Sequence, residues 1–281
     1  MGTVHYAVSD LDRVAAFYET ILGFATLEAC GDSVVLGAGS RALLRLSKAP
    51  DARRVRGTTG LYHTAFLVPS RRDLAHLMQR ILESRTPIQG TSNHGTHLAI
   101  YLPDPDGNGI ELAWDFPKDV WPIKDGTWDL AAMPREGVDL GELMSELEED
   151  ATPWDGLPSE TVVGHVHLHV SDLEASERFY NGVLGFDVMM KSYDFGALFV
   201  SAGGYHHHIG MNIWRGVGLP KPPPDALGLR TFSVQLPNEA ELDRIRTALA
   251  SEQIEHEATD DGLLVRDPSG LGLILSVQSE V

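Results

Sequence analysis

Two ionisable side chains, His63 and Glu111, occupy positions where an internal repeat of the chain carries Thr231 and Ile274. Positions that hold an ionisable residue in one copy and a neutral residue in the other are not required for folding, so we expect these two to serve chemistry. Glu111 stands between two apolar neighbours, where a buried carboxylate costs several kcal/mol unless it is paired or bound to a metal ion. The pair therefore favours a metal site.

Two histidine-rich segments, residues 164–169 (GHVHLH) and 205–208 (YHHH), supply further candidates. Imidazole is a common metal ligand and the side chain best suited to proton transfer near neutral pH. A single histidine on a strand is nonetheless more often a hydrogen-bonded core residue, which is our interpretation of His76, His167 and His169.

An internal duplication organises the chain around these residues. The helix string of residues 10–24 recurs at 172–186, displaced by 162 positions, and the turn 104–110 recurs at 267–273. Each copy divides again into two units of strand, helix and three strands, as judged from apolar periodicity and glycine-containing turns. The sequence therefore predicts four copies of one small βαβββ module.

The module boundaries follow from the repeat and from a break in the pattern. We predict an N-terminal pair of modules over 1–116 (1–50 and 58–116), a connector over 117–160 and a C-terminal pair over 161–281 (161–216 and 226–281). The connector is rich in proline and tryptophan, and we expect its tryptophans to pack across the surface.

Composition limits the partners and the compartment. The 281 residues carry a net charge of −18, with a pI near 4.9, which argues against nucleic acid or an anionic membrane as partner. No apolar run approaches about 20 residues, so we expect a cytoplasmic protein. Cys30 is the single cysteine, which excludes an intramolecular disulfide and a thiolate metal cluster.

The helix string and the closing string 104–111 (DPDGNGIE) resemble the vicinal oxygen chelate superfamily of glyoxalase I, bleomycin-binding proteins and extradiol dioxygenases. With its four modules and the histidine-rich segments 164–169 and 203–210, the chain resembles the short catechol 2,3-dioxygenases of the bacillus type. The resemblance implies an α+β fold in which four βαβββ modules form two half-barrels. Because this fold hosts several chemistries, the residues at the site must decide the function.

In that superfamily the metal ligands lie on the first and the final strands of a module. Carried over to this chain, the rule selects His63, Glu111 and His165, a set that binds Fe(II), with Mn(II) as an alternative. These three can meet only if modules two and three share one half-barrel while modules one and four form the other. A competing assignment combines His5 with His63 and Glu111. Because His5 aligns with His167, that assignment leaves His165 without a role.

The resemblance also suggests residues around the metal. Tyr101, ten residues before the carboxylate ligand, matches an active-site tyrosine of the family, and His94 resembles its substrate-contacting histidine. The acid–base histidine matches His207, in a segment that we expect to be a strand. Alternation along a strand would turn the flanking His206 and His208 to the other face. A shift of one residue would therefore change the acid–base group.

The resemblance predicts an Fe(II)-dependent extradiol dioxygenase that cleaves a catechol-type ring. Its partners would be a small aromatic diol and O2. The resemblance is also compatible with a homo-oligomer. Two other classes compete: a metal-dependent isomerase or lyase of the glyoxalase type, and a ligand-binding protein of the bleomycin-resistance type. Consumption of one O2 per substrate separates the first from a dioxygenase, and the metal ligands argue against the second.

Overall fold

A computed structural model describes residues 1–148 and 153–277. Its architecture is mixed α+β, with two eight-stranded sheets and one two-stranded ribbon over the described residues. Each eight-stranded sheet is a half-barrel built from two modules, which confirms the predicted fold class. Among the described residues, no helix is long and apolar enough to cross a membrane.

The elements follow the predicted modules along the chain. Module one contains β1 (Val4–Val8), α1 (Leu11–Thr20), β2 (Ala25–Cys30), β3 (Ser33–Ala38) and β4 (Arg41–Lys48). Module two contains β5 (Gly60–Leu67), α2 (Arg71–Glu83), β6 (Gly90–Asn93), β7 (His97–Pro103) and β8 (Gly109–Asp115). The connector contains a 3-10 turn (Lys118–Val120), β9 (Ile123–Lys124), β10 (Thr127–Trp128) and α3 (Leu140–Ser145).

The second repeat has the same order of elements. Module three contains β11 (Val162–His169), α4 (Leu173–Glu177), which continues as a π-helix (Arg178–Val183), β12 (Asp187–Ser192), β13 (Ala197–Ser201) and β14 (Ile209–Asn212). Module four contains β15 (Gly228–Leu236), α5 (Glu239–Ser251), β16 (His256–Thr259), β17 (Gly262–Arg266) and β18 (Gly272–Val277).

The sheets join modules that are not consecutive in the chain. One sheet has the order β16-β17-β18-β15-β1-β4-β3-β2, so β1 pairs with β15 and modules one and four share it. The other has the order β12-β13-β14-β11-β5-β8-β7-β6, so β5 pairs with β11 and modules two and three share it. This arrangement confirms the predicted pairing of modules. The sequential domain boundaries 1–116, 117–160 and 161–281 stay a prediction.

The repeated strings build the same local structure twice. Asp10 and Asp172 each begin a helix, because the side chain of each accepts a hydrogen bond from a backbone N–H of the first turn. The repeated turn carries a buried aspartate, Asp267 in its second copy, to which the buried Tyr180 donates a hydrogen bond of 3.1 Å. Helix capping and core packing thus account for the repeated segments. The residues that differ between the two copies are therefore the better candidates for catalysis or metal binding.

The connector covers the half-barrel of modules two and three. Trp121 and Trp128 are buried, as expected for side chains that pack on the surface of a sheet. The indole Nε1 of Trp128 donates a hydrogen bond of 2.9 Å to the backbone oxygen of His206. The connector therefore fixes the segment that precedes β14.

Candidate metal centre

Three neighbouring strands bring His63, Glu111 and His165 to one place. Ala65 on β5 lies opposite His165 on β11 and beside Glu111 on β8. His63 precedes Ala65 by two residues and so lies on the same face of β5. The three adjacent strands β11, β5 and β8 therefore bring all three side chains to one face of the sheet.

The three side chains are buried and their polar atoms converge. His63 Nε2 lies 3.0 Å from Glu111 Oε2, His165 Nε2 lies 3.3 Å from that oxygen, and the two imidazole nitrogens are 3.3 Å apart. The other carboxylate oxygen, Oε1, lies 3.0 Å from His97 Nε2 but accepts no hydrogen bond from any described residue. A buried carboxylate is costly unless it is paired or bound to a metal ion, and an ion between the two imidazole nitrogens and Oε2 would supply such a partner.

The protonation states suit a cation. Burial would raise the pKa of Glu111, but His165 and His63 outweigh it and hold that pKa well below its usual range. Burial lowers the pKa of His165 despite the nearby carboxylate, so this imidazole is neutral at pH 7. A carboxylate and neutral imidazoles are the forms that bind divalent metals.

The spacing of the three donor atoms also fits one ion. Ligands at about 2.1 Å that occupy one face of an octahedron are separated by about 3 Å. The observed separations are 3.0 and 3.3 Å. His63, Glu111 and His165 can therefore hold a divalent metal and leave the opposite face open.

A cavity of about 560 Å³ opens onto these residues. His63, Glu111 and His165 line this cavity, and most of the other lining side chains are aromatic or aliphatic. The apolar wall includes Trp128, Met133, Met190, Phe195, Phe199 and Trp214. A concave, largely apolar site with a few convergent polar groups is typical of a small-molecule pocket.

Tyr101 and His94 lie together beside the carboxylate. Tyr101 on β7 is directly opposite Glu111 on β8, and its hydroxyl lies 2.8 Å from His94 Nε2. Burial, followed by Glu111, raises the pKa of Tyr101 well above its usual value, so the phenol keeps its proton. Burial lowers the pKa of His94 to about 3, so its ring is neutral. Both residues line the cavity as a hydrogen-bonded pair.

The triple-histidine segment departs from the expectation. The sequence predicts a strand over 205–208, but β14 begins at Ile209, and the segment before it is irregular. Strand alternation therefore does not apply, and both His206 and His207 are buried. The two rings are therefore distinguished by the groups that each one faces, and not by burial.

Each of the three rings has a different neighbour. His207 lines the cavity, where its ring lies 4.1 Å from the His165 ring and stacks on Phe199 at 4.6 Å. His206 lies behind it, and His208 Nδ1 forms a hydrogen bond of 2.9 Å with Ser201. Of the three histidines, His207 is the one that reaches the cavity.

Sequence reasoning did not identify His97 and Asp115 as residues near this site. It also did not predict that His206 would lie beside them. His97 on β7 lies directly opposite Asp115 on β8. The His97 ring stacks on His206 at 4.7 Å and 13°, and His206 Nε2 lies 3.1 Å from Asp115 Oδ1. Strand alternation was an available signal, because His97 is four residues from Tyr101 and Asp115 is four residues from Glu111.

In the described part of modules one and four, other side chains stand at the equivalent places. Thr3, Thr231 and Ile274 line a cavity of about 200 Å³ at the equivalent place. His5 lies in this sheet, where its Nε2 atom forms a hydrogen bond of 2.9 Å with Ser47. The competing assignment of His5 to the same site as His63 therefore has no support in the structure.

Comparison with known proteins places these features in context. The family model of the Glyoxalase/Bleomycin resistance protein/Dioxygenase superfamily matches residues 1–112 and 162–273. The chain is 39% identical over 272 residues to the catechol-2,3-dioxygenase of Bacillus subtilis (strain 168), which covers 95% of this chain and 93% of the relative. It is 41% identical over 66 residues to biphenyl-2,3-diol 1,2-dioxygenase 3 of Rhodococcus globerulus, which covers 22% of this chain and 33% of that protein.

Solved structures extend the comparison of the fold. Glyoxalase I from Zea mays superposes with a TM-score of 0.61 at 17% identity and covers 98% of this chain and 91% of that chain. A structure from Bacillus subtilis subsp. subtilis str. 168 superposes with a TM-score of 0.69 at 13% identity and covers 100% of this chain and 86% of that chain. At these identities the likeness establishes the fold alone.

Proposed function

This chain belongs to the Glyoxalase/Bleomycin resistance protein/Dioxygenase superfamily, and we propose that it is an extradiol dioxygenase that cleaves a catechol-type ring beside its two hydroxyls. The observation that carries the proposal is that one polar atom each of His63, Glu111 and His165 lies within 3.3 Å of the other two, at the edge of a largely apolar cavity that these residues line. The name of the Bacillus subtilis relative supports the same activity. The product would be a ring-opened muconic semialdehyde.

The proposed metal is Fe(II), with Mn(II) as the alternative, held by His63, Glu111 and His165. When bound, such a metal supplies the Lewis-acid and redox chemistry that the reaction of a catechol with O2 requires. The protein contributes two imidazoles and one carboxylate as ligands, which leave a net positive charge on a divalent metal and so favour an anionic catechol.

In this proposal, protein side chains handle the protons. His207 takes a proton from a substrate hydroxyl and returns it as the ring opens, a role that needs a neutral imidazole at the cavity wall. The phenol of Tyr101 donates a hydrogen bond to a substrate oxygen. His94 holds that phenol in place through the 2.8 Å contact.

The cavity also suggests which catechols fit. Its volume of about 560 Å³ and its walls of Phe199, Trp214 and Met190 suit a catechol with an apolar substituent. We therefore propose that substituted catechols react with a higher kcat/KM than catechol itself.

The test is anaerobic reconstitution of the full chain with Fe(II), followed by catechol and then O2. We expect a yellow ring-fission product and one O2 consumed per substrate. The His63→Ala variant should lose this activity. His5→Ala, which changes the same residue type on the first strand of the other half-barrel, is the matched control and should retain it. Conversion of substrate without O2 uptake would instead indicate an isomerase.

A further inference from the structure

A line of hydrogen bonds runs behind His207, away from the cavity. Asp115 Oδ1 lies 3.1 Å from His206 Nε2, and His206 Nδ1 lies 2.8 Å from His207 Nδ1. Asp115 stands at the end of β8 on the same strand face as Glu111, four residues away. The line therefore connects the strand that carries the carboxylate ligand to the candidate acid–base group.

Both imidazoles in this line are neutral. Burial lowers the pKa of His206 to about 3, although Asp115 opposes the shift. His207 is buried and its ring stacks on Phe199, surroundings that also disfavour the charged imidazolium. Each ring therefore carries one N–H, which can sit on only one of its two nitrogens.

The chemistry of the partners decides which nitrogen that is. An ionised carboxylate only accepts hydrogen bonds, so His206 must donate to Asp115 from Nε2. His206 Nδ1 is then a lone pair, and His207 must donate to it from Nδ1. The remaining nitrogen of His207, Nε2, is left with its lone pair on the side of the ring that faces away from His206.

Packing holds the rings in this arrangement. His97 stacks on His206 at 4.7 Å, and Trp121 contacts His206 edge to face at 5.1 Å. Phe199 stacks on His207 at 4.6 Å. No described residue forms a hydrogen bond with His207 Nε2, so that lone pair remains available to a ligand in the cavity.

A second metal ion is a poorer explanation of the same cluster. His97, Asp115 and His206 each place one donor atom within 4.8 Å of the others. The rings of His97 and His206 are stacked with only 13° between their planes. Imidazole lone pairs lie in the ring plane, so two stacked rings cannot direct them at one ion.

We propose that Asp115 and His206 are positioning residues that hold His207 as the Nδ1–H tautomer, with the Nε2 lone pair directed into the cavity. The inference rests on the proposed function, in which His207 Nε2 receives the substrate proton. A carboxylate that fixes a histidine tautomer is an established way to orient an imidazole for proton transfer or metal binding. Here the imidazole of His206 lies between the carboxylate of Asp115 and His207, so Asp115 would act on the His207 tautomer through His206.

The direct test is NMR of the full chain labelled with 15N-histidine and loaded with Zn(II), a diamagnetic substitute for Fe(II). Two-bond nitrogen–proton correlations distinguish the Nδ1–H tautomer from the Nε2–H tautomer, and His207→Gln identifies the His207 signals. We expect Nδ1–H in the parent protein. In Asp115→Asn, the amide can donate to His206 Nε2, so we expect a shift of His207 toward Nε2–H. An Nε2–H tautomer in the parent protein, or no change in Asp115→Asn, would overturn the proposal.

A kinetic comparison provides a second readout. We expect Asp115→Asn to lower kcat by about 10–100-fold, with KM, metal content and the unfolding midpoint close to those of the parent protein. Asp115→Glu should restore part of the loss. Asp119→Asn, the same change at an exposed position nearby, is the matched control. A loss that appears in KM or stability instead of kcat would overturn the positioning role.

The two arms separate this inference from the proposed function. If the parent protein consumes no O2 with any catechol but Asp115→Asn still shifts the His207 tautomer, the dioxygenase assignment is wrong and the positioning role stands. If the protein is an active dioxygenase whose His207 tautomer does not respond to Asp115, the positioning role is wrong and the function stands.

Discussion

His63 and His167 lie directly opposite each other across the antiparallel pair β5–β11, with their ring centroids 5.0 Å apart. This strand pair is the seam between modules two and three. His63 and Glu111 approach from one side of the seam and His165 from the other. The candidate metal centre is therefore a property of the seam and of neither module alone.

The first prediction concerns metal retention. Replacing His63, Glu111 or His165 by alanine should abolish stoichiometric metal binding, because the two protein donors that remain hold a divalent ion much less tightly than three. The free energy of unfolding of the metal-free protein should change little, since the repeat replaces two of these residues without loss of the module. Metal analysis after gel filtration and denaturant unfolding measure the two effects. Stoichiometric iron in Glu111→Ala would show that the assignment is wrong.

The second prediction concerns stoichiometry. The half-barrel of modules one and four has Thr3, Thr231 and Ile274 at the positions that carry the candidate metal ligands in the half-barrel of modules two and three. A saturated sample should therefore contain one metal ion per chain. Calorimetric titration with Fe(II) or Mn(II) under anaerobic conditions gives the number. Two tight sites per chain, with the second lost in His5→Ala, would contradict this prediction.

The third prediction concerns the acid–base group. His207→Phe should retain metal and catechol binding yet lower kcat by about 10²-fold or more, the usual contribution of a positioned proton carrier. His208→Phe is the control, since His208 faces Ser201 and not the cavity. Stopped-flow absorbance of the ring-fission product measures the rate. Near-normal turnover in His207→Phe would assign proton transfer to another group.

The fourth prediction concerns stability against pH. Burial raises the pKa of Asp267 to about 6, although hydrogen bonds from Leu271 and Tyr180 oppose the shift. The folded state therefore holds this proton more tightly than the unfolded state, so the contribution of Asp267 to stability falls as pH rises from about 4 to about 6. The loss amounts to about 3 kcal/mol at most.

Asp267→Asn removes this titration. Relative to the parent protein, the variant should gain stability as pH rises through that window, with no further gain above about pH 7. Urea unfolding of the metal-free protein between pH 4 and 8 gives the difference. Asp260→Asn, the same change at an exposed site, should follow the parent curve. A difference between Asp267→Asn and parent that does not depend on pH would argue that Asp267 is ionised throughout.

The repeat made much of this protein predictable from sequence. Helix caps such as Asp10 and Asp172, the glycine turns and the apolar periodicity depend on local interactions, so they specify four modules without knowledge of the fold. The pairing of modules two and three also followed from sequence, because the family's ligand positions retained suitable side chains only in those modules. Structure confirmed that pairing.

Tertiary structure alone decided which groups surround the candidate centre. His97 meets Asp115 and Glu111 through cross-strand register, which depends on pairing between distant segments. The segment with His206 and His207 is not a strand, so its side chains follow no alternation, and packing against Trp128 and Phe199 sets their directions. Local sequence determines a module because its interactions are short-range, whereas the contacts among the histidines form only when two modules close against each other.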